Sequence, residues 1–403
     1  MKYAVILGDG MADLPIEAIN NKTPLEAALK PNIDKLAKYG TVGMMRTVYE
    51  GLAPGSDVAN LCVMGFNPKE NYSGRSPLEA ASIGVELTET DITYRTNLVT
   101  LSDEPDYENK TLVDYSAGEI STQEANEIIK TVNEKLGSEF YNFYTGTSYR
   151  HLLVRKDMKK AGKLTPPHDI SDKIVGEYLP EDAYLKELMI KSYDILKDHP
   201  VNKKRISEGK NPANSIWFWG EGTKPGLDLF KNVYGLDASV ISAVDLIKGI
   251  AKLTNMNVLE VENATGTVHT NFDGKAKAAI EAFKNGSEYV YIHMEAPDES
   301  GHQGSLEDKI KSIELIDEKV VGPVYEHLKS CGEDFTILVL PDHPTPVSLK
   351  THTSEPIPFL VYRSSDTEIK DENAVYTENY AKSTHLYLEE GHTLLRKVMN
   401  GEI

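Results

Sequence analysis

The chain predicts an α/β protein built on a mostly parallel sheet, and three observations predict it. Short apolar runs recur at residues 3–7, 239–244, 258–261, 289–294, 336–340 and 359–362. Runs this short, bounded by turn residues, read as strands buried on both faces. Helical stretches near 245–253, 274–284 and 306–328 alternate with them, a βαβα rhythm that calls for helices on both sides of the sheet. Finally, 403 residues exceed what one core usually holds, and the middle of the chain changes character, so a second domain is expected.

The strand at 3–7 ends in Gly8-Asp9-Gly10, which places Asp9 past a strand's carboxyl end, where open α/β sheets bind ligands. The glycines do not form a G-x-G-x-x-G, so a dinucleotide site is not indicated. An Asp in this position also serves a plain turn. Helices follow at 23–29 and 31–40, the second opening on Pro31 and closing on Gly40. Pro54-Gly55 then turns into Ser56, with Val58, Leu61 and Cys62 on one helical face beyond it. Ser56 therefore stands at a helix start, where free N–H groups favour an anion. Two readings are open there: an N-cap serine, or a nucleophile that needs a metal or base beside it.

A Gly-Arg turn carries Arg75 into another helix, and 92–101 reads as a strand. From about residue 107 the pattern shifts to a helix at 119–136, an aromatic strand-like run at 141–154 and an amphipathic helix at 179–196. A basic run at 156–163 reads as a solvated face. Residues 106–213 are expected to form an inserted domain between core segments 1–105 and 214–403. The insertion carries Arg150-His151 and His168-Asp169, candidates for substrate contact or for ordinary structural hydrogen bonding. The 215–220 run is expected to return the chain to the first core.

The run at 289–294 breaks at Pro297 and delivers Asp298 and His302. That at 336–340 delivers Asp342 and His343, and a later loop adds His352. Pro297 and Gly301 are expected to be turn residues presenting their neighbours. Loops at one edge of a parallel sheet share space. Three Asp, three His and a Ser are too many for one tetrahedral ion and suit two. Displacement at phosphorus needs both the attacking and the leaving oxygen stabilised, and two ions can do so. Mixed carboxylate and imidazole donors suit Mn²⁺ or Zn²⁺ better than Mg²⁺.

The totals exclude other classes. A net charge of −19 argues against a nucleic-acid surface. Two cysteines imply no disulfide framework, and no apolar run is long enough for a signal segment or a membrane span. A cytoplasmic location and a small-molecule partner are expected, with the oligomeric state open.

Gly8-Asp9-Gly10-Met-Ala-Asp, Pro54-Gly-Ser56-Asp-Val-Ala-Asn60, Glu295-Ala-Pro-Asp298-Glu-Ser-Gly-His302, Asp342-His343 and Lys350-Thr-His352-Thr-Ser-Glu-Pro occur in that order. Together they resemble the cofactor-independent phosphoglycerate mutases of the shorter archaeal-type branch, within the alkaline-phosphatase-like metalloenzymes. The resemblance runs through nearly the whole chain. It implies an alkaline-phosphatase-like core with an inserted α+β cap that binds substrate. It implies that Ser56 is the nucleophile that becomes phosphoserine. Asp298, His302 and His352 would hold one divalent ion, Mn²⁺ before Zn²⁺ or Mg²⁺. Asp9, Asp342 and His343, with Ser56, would hold the other. Arg75, Arg150, His151, His168 and Asp169 would meet a phosphorylated sugar acid, and the reaction would interconvert 3- and 2-phosphoglycerate. The competing expectations are a homoserine-kinase-like phosphotransferase using ATP, a phosphomonoesterase, and a binding protein without activity.

Overall fold

The computed structural model describes residues 1–403. The chain forms two compact units, Met1–Tyr72 with Gly226–Ile403, and Ser73–Pro225. No helix is long and apolar enough to cross a membrane.

The first unit holds an eight-stranded sheet. Its strand order is Tyr387–Leu388, Thr41–Met45, Ile357–Arg363, Phe335–Leu340, Lys2–Gly8, Tyr289–Met294, Ala238–Ile241 and Asn257–Leu259. Lys2–Gly8 is central and pairs in parallel with Tyr289–Met294 on one side and Phe335–Leu340 on the other. Only Ile357–Arg363 runs against its neighbours. Every residue of Tyr289–Met294 and Phe335–Leu340 is buried, as apolar runs covered on both faces must be. Ala4, Ile6, Ile292 and Val339 pack beneath the helices with Phe283, Ile313, Val320 and Val324.

The expected continuous helix over 306–328 is divided into Leu306–Ile316, a π turn at Asp317–Val321, and Gly322–Ser330. Asp317 explains why a wide turn is useful there. Its carboxylate accepts from the Ile33 and Asn32 amides at 2.7 and 3.2 Å. These are orphan donors of the helix Pro31–Tyr39, whose own cap residue, Lys30, supplies no side-chain acceptor. The cap comes from 285 residues away in sequence.

The second unit is built on Ile92–Leu101, buried along its whole length. It pairs antiparallel with Arg150–Arg155 and Ser215–Thr223, and at its end with Leu112–Asp114. Tyr141–Thr147 extends the sheet beyond Arg150–Arg155. Helices Thr122–Leu136 and Ala183–Leu196 cover one face through Ile128, Ile129, Leu185 and Leu188, against Tyr94, Leu98 and Phe218. Three expectations change here. The 141–154 run is a hairpin, turned where Ser148 takes a φ of 54°. The 215–220 strand does not return to the first core, because its edge hydrogen bonds go to Ile92–Leu101. That strand, counted with the 1–105 segment, lies in this sheet as well, so the unit reaches beyond both ends of 106–213. Apolar runs announce strands, but pairing partners decide which sheet they join.

Candidate metal centre and nucleophile

The parallel register sets the site. Gly8 lies opposite Met294 and Leu7 opposite Leu340, so the three central strands end side by side. The Asp9 amide still donates to the Met294 carbonyl at 2.9 Å. Asp9 and Asp342-His343 then emerge together, with donor atoms of all three within 4.8 Å of one another and all three side chains buried. Asp342 is held by the Gly10 and His343 amides at 3.1 and 2.8 Å and by Asn60 Nδ2 at 2.8 Å. His343 Nε2 stands 3.4 Å from Asp342 Oδ2 and 3.6 Å from Asp9 Oδ1.

Asp298, His302 and His352 form a second group, again with donor atoms within 4.8 Å. The expected turn at 295–302 is instead the helix Ala296–Gln303, with Pro297 in its first turn and Gly304 as a left-handed cap. Proline is tolerated there because the first-turn amide has no intrahelical partner. Asp298 and His302 are one helical turn apart and share a face. Gly301 lies inside the helix, and a Cβ there would meet the Thr345 carbonyl oxygen at 2.4 Å. It is a close-approach residue rather than a turn residue.

Both histidines of this group have their second nitrogen committed. His302 Nδ1 meets the Lys350 carbonyl at 3.0 Å, and His352 Nδ1 meets the Pro54 carbonyl at 3.3 Å. A carbonyl only accepts, so both Nδ1 atoms carry the proton and both Nε2 atoms present lone pairs. Those Nε2 atoms lie 2.8 Å apart, and each is 3.3–3.4 Å from an Asp298 oxygen. Two lone pairs that converge on a carboxylate ask for a cation. The same geometry attracts a proton: the hydrogen bond to Asp298 lifts the His302 imidazole to about 9. Burial opposes ionisation of Asp298, yet His302 and His352 hold its carboxyl well below the usual range.

The first group makes the same demand through its carboxylates. Asp9 Oδ1 is buried without a hydrogen-bond partner. Burial, then the charges of Asp342 and Asp298, push the Asp9 carboxyl well above its ordinary range. Acids gathered out of water with an orphaned oxygen fit a bound cation, so both donor groups fit divalent ions.

Ser56 adjoins the first of these groups. It is the first residue of the helix Ser56–Val63, whose cap position is Gly55, so the serine side chain is not the N-cap. Its Oγ lies 3.2 Å from His343 Nε2. The rings of His343 and His352 are 4.1 Å apart, which brings the two groups together at the serine.

Several residues around the centre were not singled out from sequence. His293 Nε2 meets Asp9 Oδ2 at 2.9 Å, and His293 Nδ1 meets Ser242 Oγ at 3.2 Å. Tyr291 donates to Asn60 Oδ1 at 2.6 Å, steadying the amide that holds Asp342. Both side chains alternate with core residues on a strand that is apolar otherwise, which is the only sequence signal they give. Lys309 is fully buried, with its Nζ on Asp13, the Ala12 carbonyl and the Thr345 carbonyl. It ties the loop after Asp9 to the loop after His343.

The second unit has its own cationic group. Arg75 and Arg95 both pair with Glu79, at 3.1 and 2.9 Å. Arg95 lies over the Trp219 ring at 4.1 Å, and His168 packs edge-on to the same ring at 5.2 Å. Burial holds the His168 imidazole below its ordinary value, and the Arg95 and Arg75 charges add to this against the pull of Asp169. Arg150 is exposed and near enough for its charge to act on Arg95. Arg95 and Trp219 were missed because neither stands in a motif. His151 does not join this group: it is 3% exposed, and its Nδ1 accepts from the Gly146 amide at 3.1 Å. Asp169 is open to solvent beside His168.

Fold and site thus define a class of α/β protein with two Asp/His donor groups and a serine at one edge of a parallel sheet. The family profile of 2,3-bisphosphoglycerate-independent phosphoglycerate mutase matches residues 37–202. The 2,3-bisphosphoglycerate-independent phosphoglycerate mutase of Methanosarcina barkeri is 49% identical over 399 residues, which is 98% of each chain. A probable enzyme of the same description from Geobacter sulfurreducens is 47% identical, over 99% of this chain and 100% of its own. In structure, a Pyrococcus horikoshii protein matches with a TM-score of 0.81 at 29% identity, covering 99% of this chain and 96% of that one. The cofactor-independent phosphoglycerate mutase of Thermoplasma acidophilum matches with a TM-score of 0.66 at 24% identity, over 99% of each chain. The chain belongs to the 2,3-bisphosphoglycerate-independent phosphoglycerate mutases.

Proposed function

We propose that this protein interconverts 3-phosphoglycerate and 2-phosphoglycerate through a phosphoserine on Ser56. The observation that carries the reading is the position of Ser56 Oγ, 3.2 Å from His343 Nε2 of the buried donor group, beside a second group in which buried Asp298 faces two half-buried histidines. Asp298, His302 and His352 would hold one divalent ion, and Asp9, Asp342 and His343 the other. Bound ions supply positive charge to the phosphoryl oxygens and make the serine hydroxyl more acidic. The donor types favour Mn²⁺ or Zn²⁺.

Ser56 Oγ attacks phosphorus in line, the P–O bond to the sugar acid breaks, and glycerate leaves with the proton the serine gives up. The other hydroxyl of glycerate then attacks phosphoserine, the Ser56 P–O bond breaks, and the serine recovers its proton. The helix start at Ser56 offers backbone amides to the phosphoserine. We assign the second unit, residues 73–225, to substrate recognition. Arg75, Arg95, Arg150 and His168 are the groups suited to the carboxylate, so a chain of net charge −19 still offers the anion local positive charge.

The test supplies Mn²⁺ and 3-phosphoglycerate and follows 2-phosphoglycerate and free phosphate by ³¹P NMR. Isomer formation without phosphate release is the expected result. Phosphate release without isomer would replace the mutase reading by a phosphatase. In a parallel reaction supplied with ATP and homoserine, ADP formation that depends on homoserine, in a protein that does not isomerise 3-phosphoglycerate, would replace it by a kinase. Ser56→Ala should lose turnover while still taking up Mn²⁺, and an active variant would remove Ser56 from the mechanism.

A further inference from the structure

Thr345 is a buried residue in the loop after His343, and its hydroxyl touches both donor groups. Oγ1 lies 2.5 Å from Asp298 Oδ1, in one group, and 3.3 Å from His343 Nδ1, in the other. The direction of each bond follows from what the atoms can do. An ionised carboxylate only accepts, so the single hydroxyl proton goes to Asp298. The Thr345 oxygen is then left as an acceptor, and His343 Nδ1–H donates to it. That fixes the His343 tautomer, with the lone pair on Nε2, the atom facing Ser56, Asp342 and Asp9.

The hydroxyl is held in place from several sides. The Thr345 amide bonds the Ala12 carbonyl at 3.3 Å, and its carbonyl accepts from Lys309 Nζ at 2.7 Å. Gly10 takes a φ of +61°, and a Cβ there would come 2.4 Å from Thr345 Oγ1 and 2.7 Å from Asp298 Oδ1. A Cβ at Gly301 would meet the Thr345 carbonyl oxygen at 2.4 Å. Two glycines from separate segments thus make room for this one residue.

We infer that Thr345 is a positioning residue shared by the two ion sites, its one hydroxyl orienting Asp298 for the first ion and His343 for the second. The inference rests on the two-ion reading above. Partners that orient metal ligands commonly contribute 10–100-fold in affinity. A hydroxyl that serves both groups makes that contribution twice. It also links the sites, because any shift of Asp298 on ion binding is passed to the His343 ring through one oxygen. Such a link acts equally in both directions.

The test is a calorimetric titration of Mn²⁺ into chelator-treated protein, with bound ions counted by elemental analysis. Wild type is expected to take up two ions. Uptake of fewer than two would overturn the two-ion reading, and this inference with it. Thr345→Val keeps the shape and removes both bonds, and it should weaken both ions by about 10- to 100-fold. Thr345→Ser keeps the hydroxyl and should bind both within a few-fold of wild type. Circular dichroism of the metal-free forms checks folding, and Thr345→Ala replaces the valine variant if the latter does not fold. Two ions bound by wild type and by Thr345→Val with equal affinity would overturn the role of Thr345 and leave the two-ion reading intact. Weakening of one ion only would overturn the sharing, as would a loss in Thr345→Ser matching that in Thr345→Val.

Discussion

His151 illustrates how a residue can look chemical in sequence and be structural in the fold. Its Nδ1 accepts from the Gly146 amide, so Nε2 carries the proton, and that N–H is buried without an acceptor. Burial pulls its imidazole down to about 3. The unfolded chain, with a histidine near 6.5, therefore binds a proton more readily than the native one. The stability this contributes is fully present above about pH 6.5 and is lost as pH falls toward 3. At pH 5 the loss is on the order of 2 kcal/mol. Urea unfolding at pH 7 and pH 5 measures it, and His151→Gln should show a shallower fall between the two. An equal fall in both proteins would place the acid sensitivity elsewhere. The metal-centre candidates were legible in sequence because each follows a strand or stands in a motif. Thr345, His293 and Arg95 were not, since each is defined by partners brought in by the fold. Thr345 meets Asp298 from 47 residues away, and His293 meets Asp9 from 284.

Among elements, the buried parallel strands were the most legible. The runs at 3–7, 289–294 and 336–340 agree with Lys2–Gly8, Tyr289–Met294 and Phe335–Leu340 to within about a residue, because double-sided burial leaves an unbroken apolar signature. Helix interruptions were not legible. The 306–328 pattern keeps its apolar period through the π turn, and the reason for the turn is the carboxylate that Asp317 delivers to another helix. Asp317→Ala would leave the Asn32 and Ile33 amides without their acceptor. The expected loss is about 2 kcal/mol, read as a lower urea midpoint with an unchanged slope. Asp317→Asn, which keeps one acceptor oxygen, should lose less. A stability equal to wild type in Asp317→Ala would mean the amides find another partner.

At the scale of the molecule, the sequence announced two domains but misplaced their borders. Composition changes at about residue 107, whereas the second unit begins at Ser73 and ends at Pro225. Its first and last long strands, Ile92–Leu101 and Ser215–Thr223, pair with each other. Only the pairing reveals that they close the insertion.

That closure also sets an order of events during synthesis. The strand Lys2–Gly8 leaves the ribosome well before its partners, since both of its neighbours lie far downstream, at Tyr289–Met294 and Phe335–Leu340. At about 10 residues per second it waits on the order of half a minute for them. Residues 73–225 are contiguous and hold all their own strand partners, so they can fold while the first strand is still unpaired. Ribosome-bound chains stalled near residue 270 should therefore yield a protease-resistant fragment spanning roughly 73–225, with the segment before it cleaved. Uniform digestion of such chains would show instead that the insertion needs the finished sheet to fold.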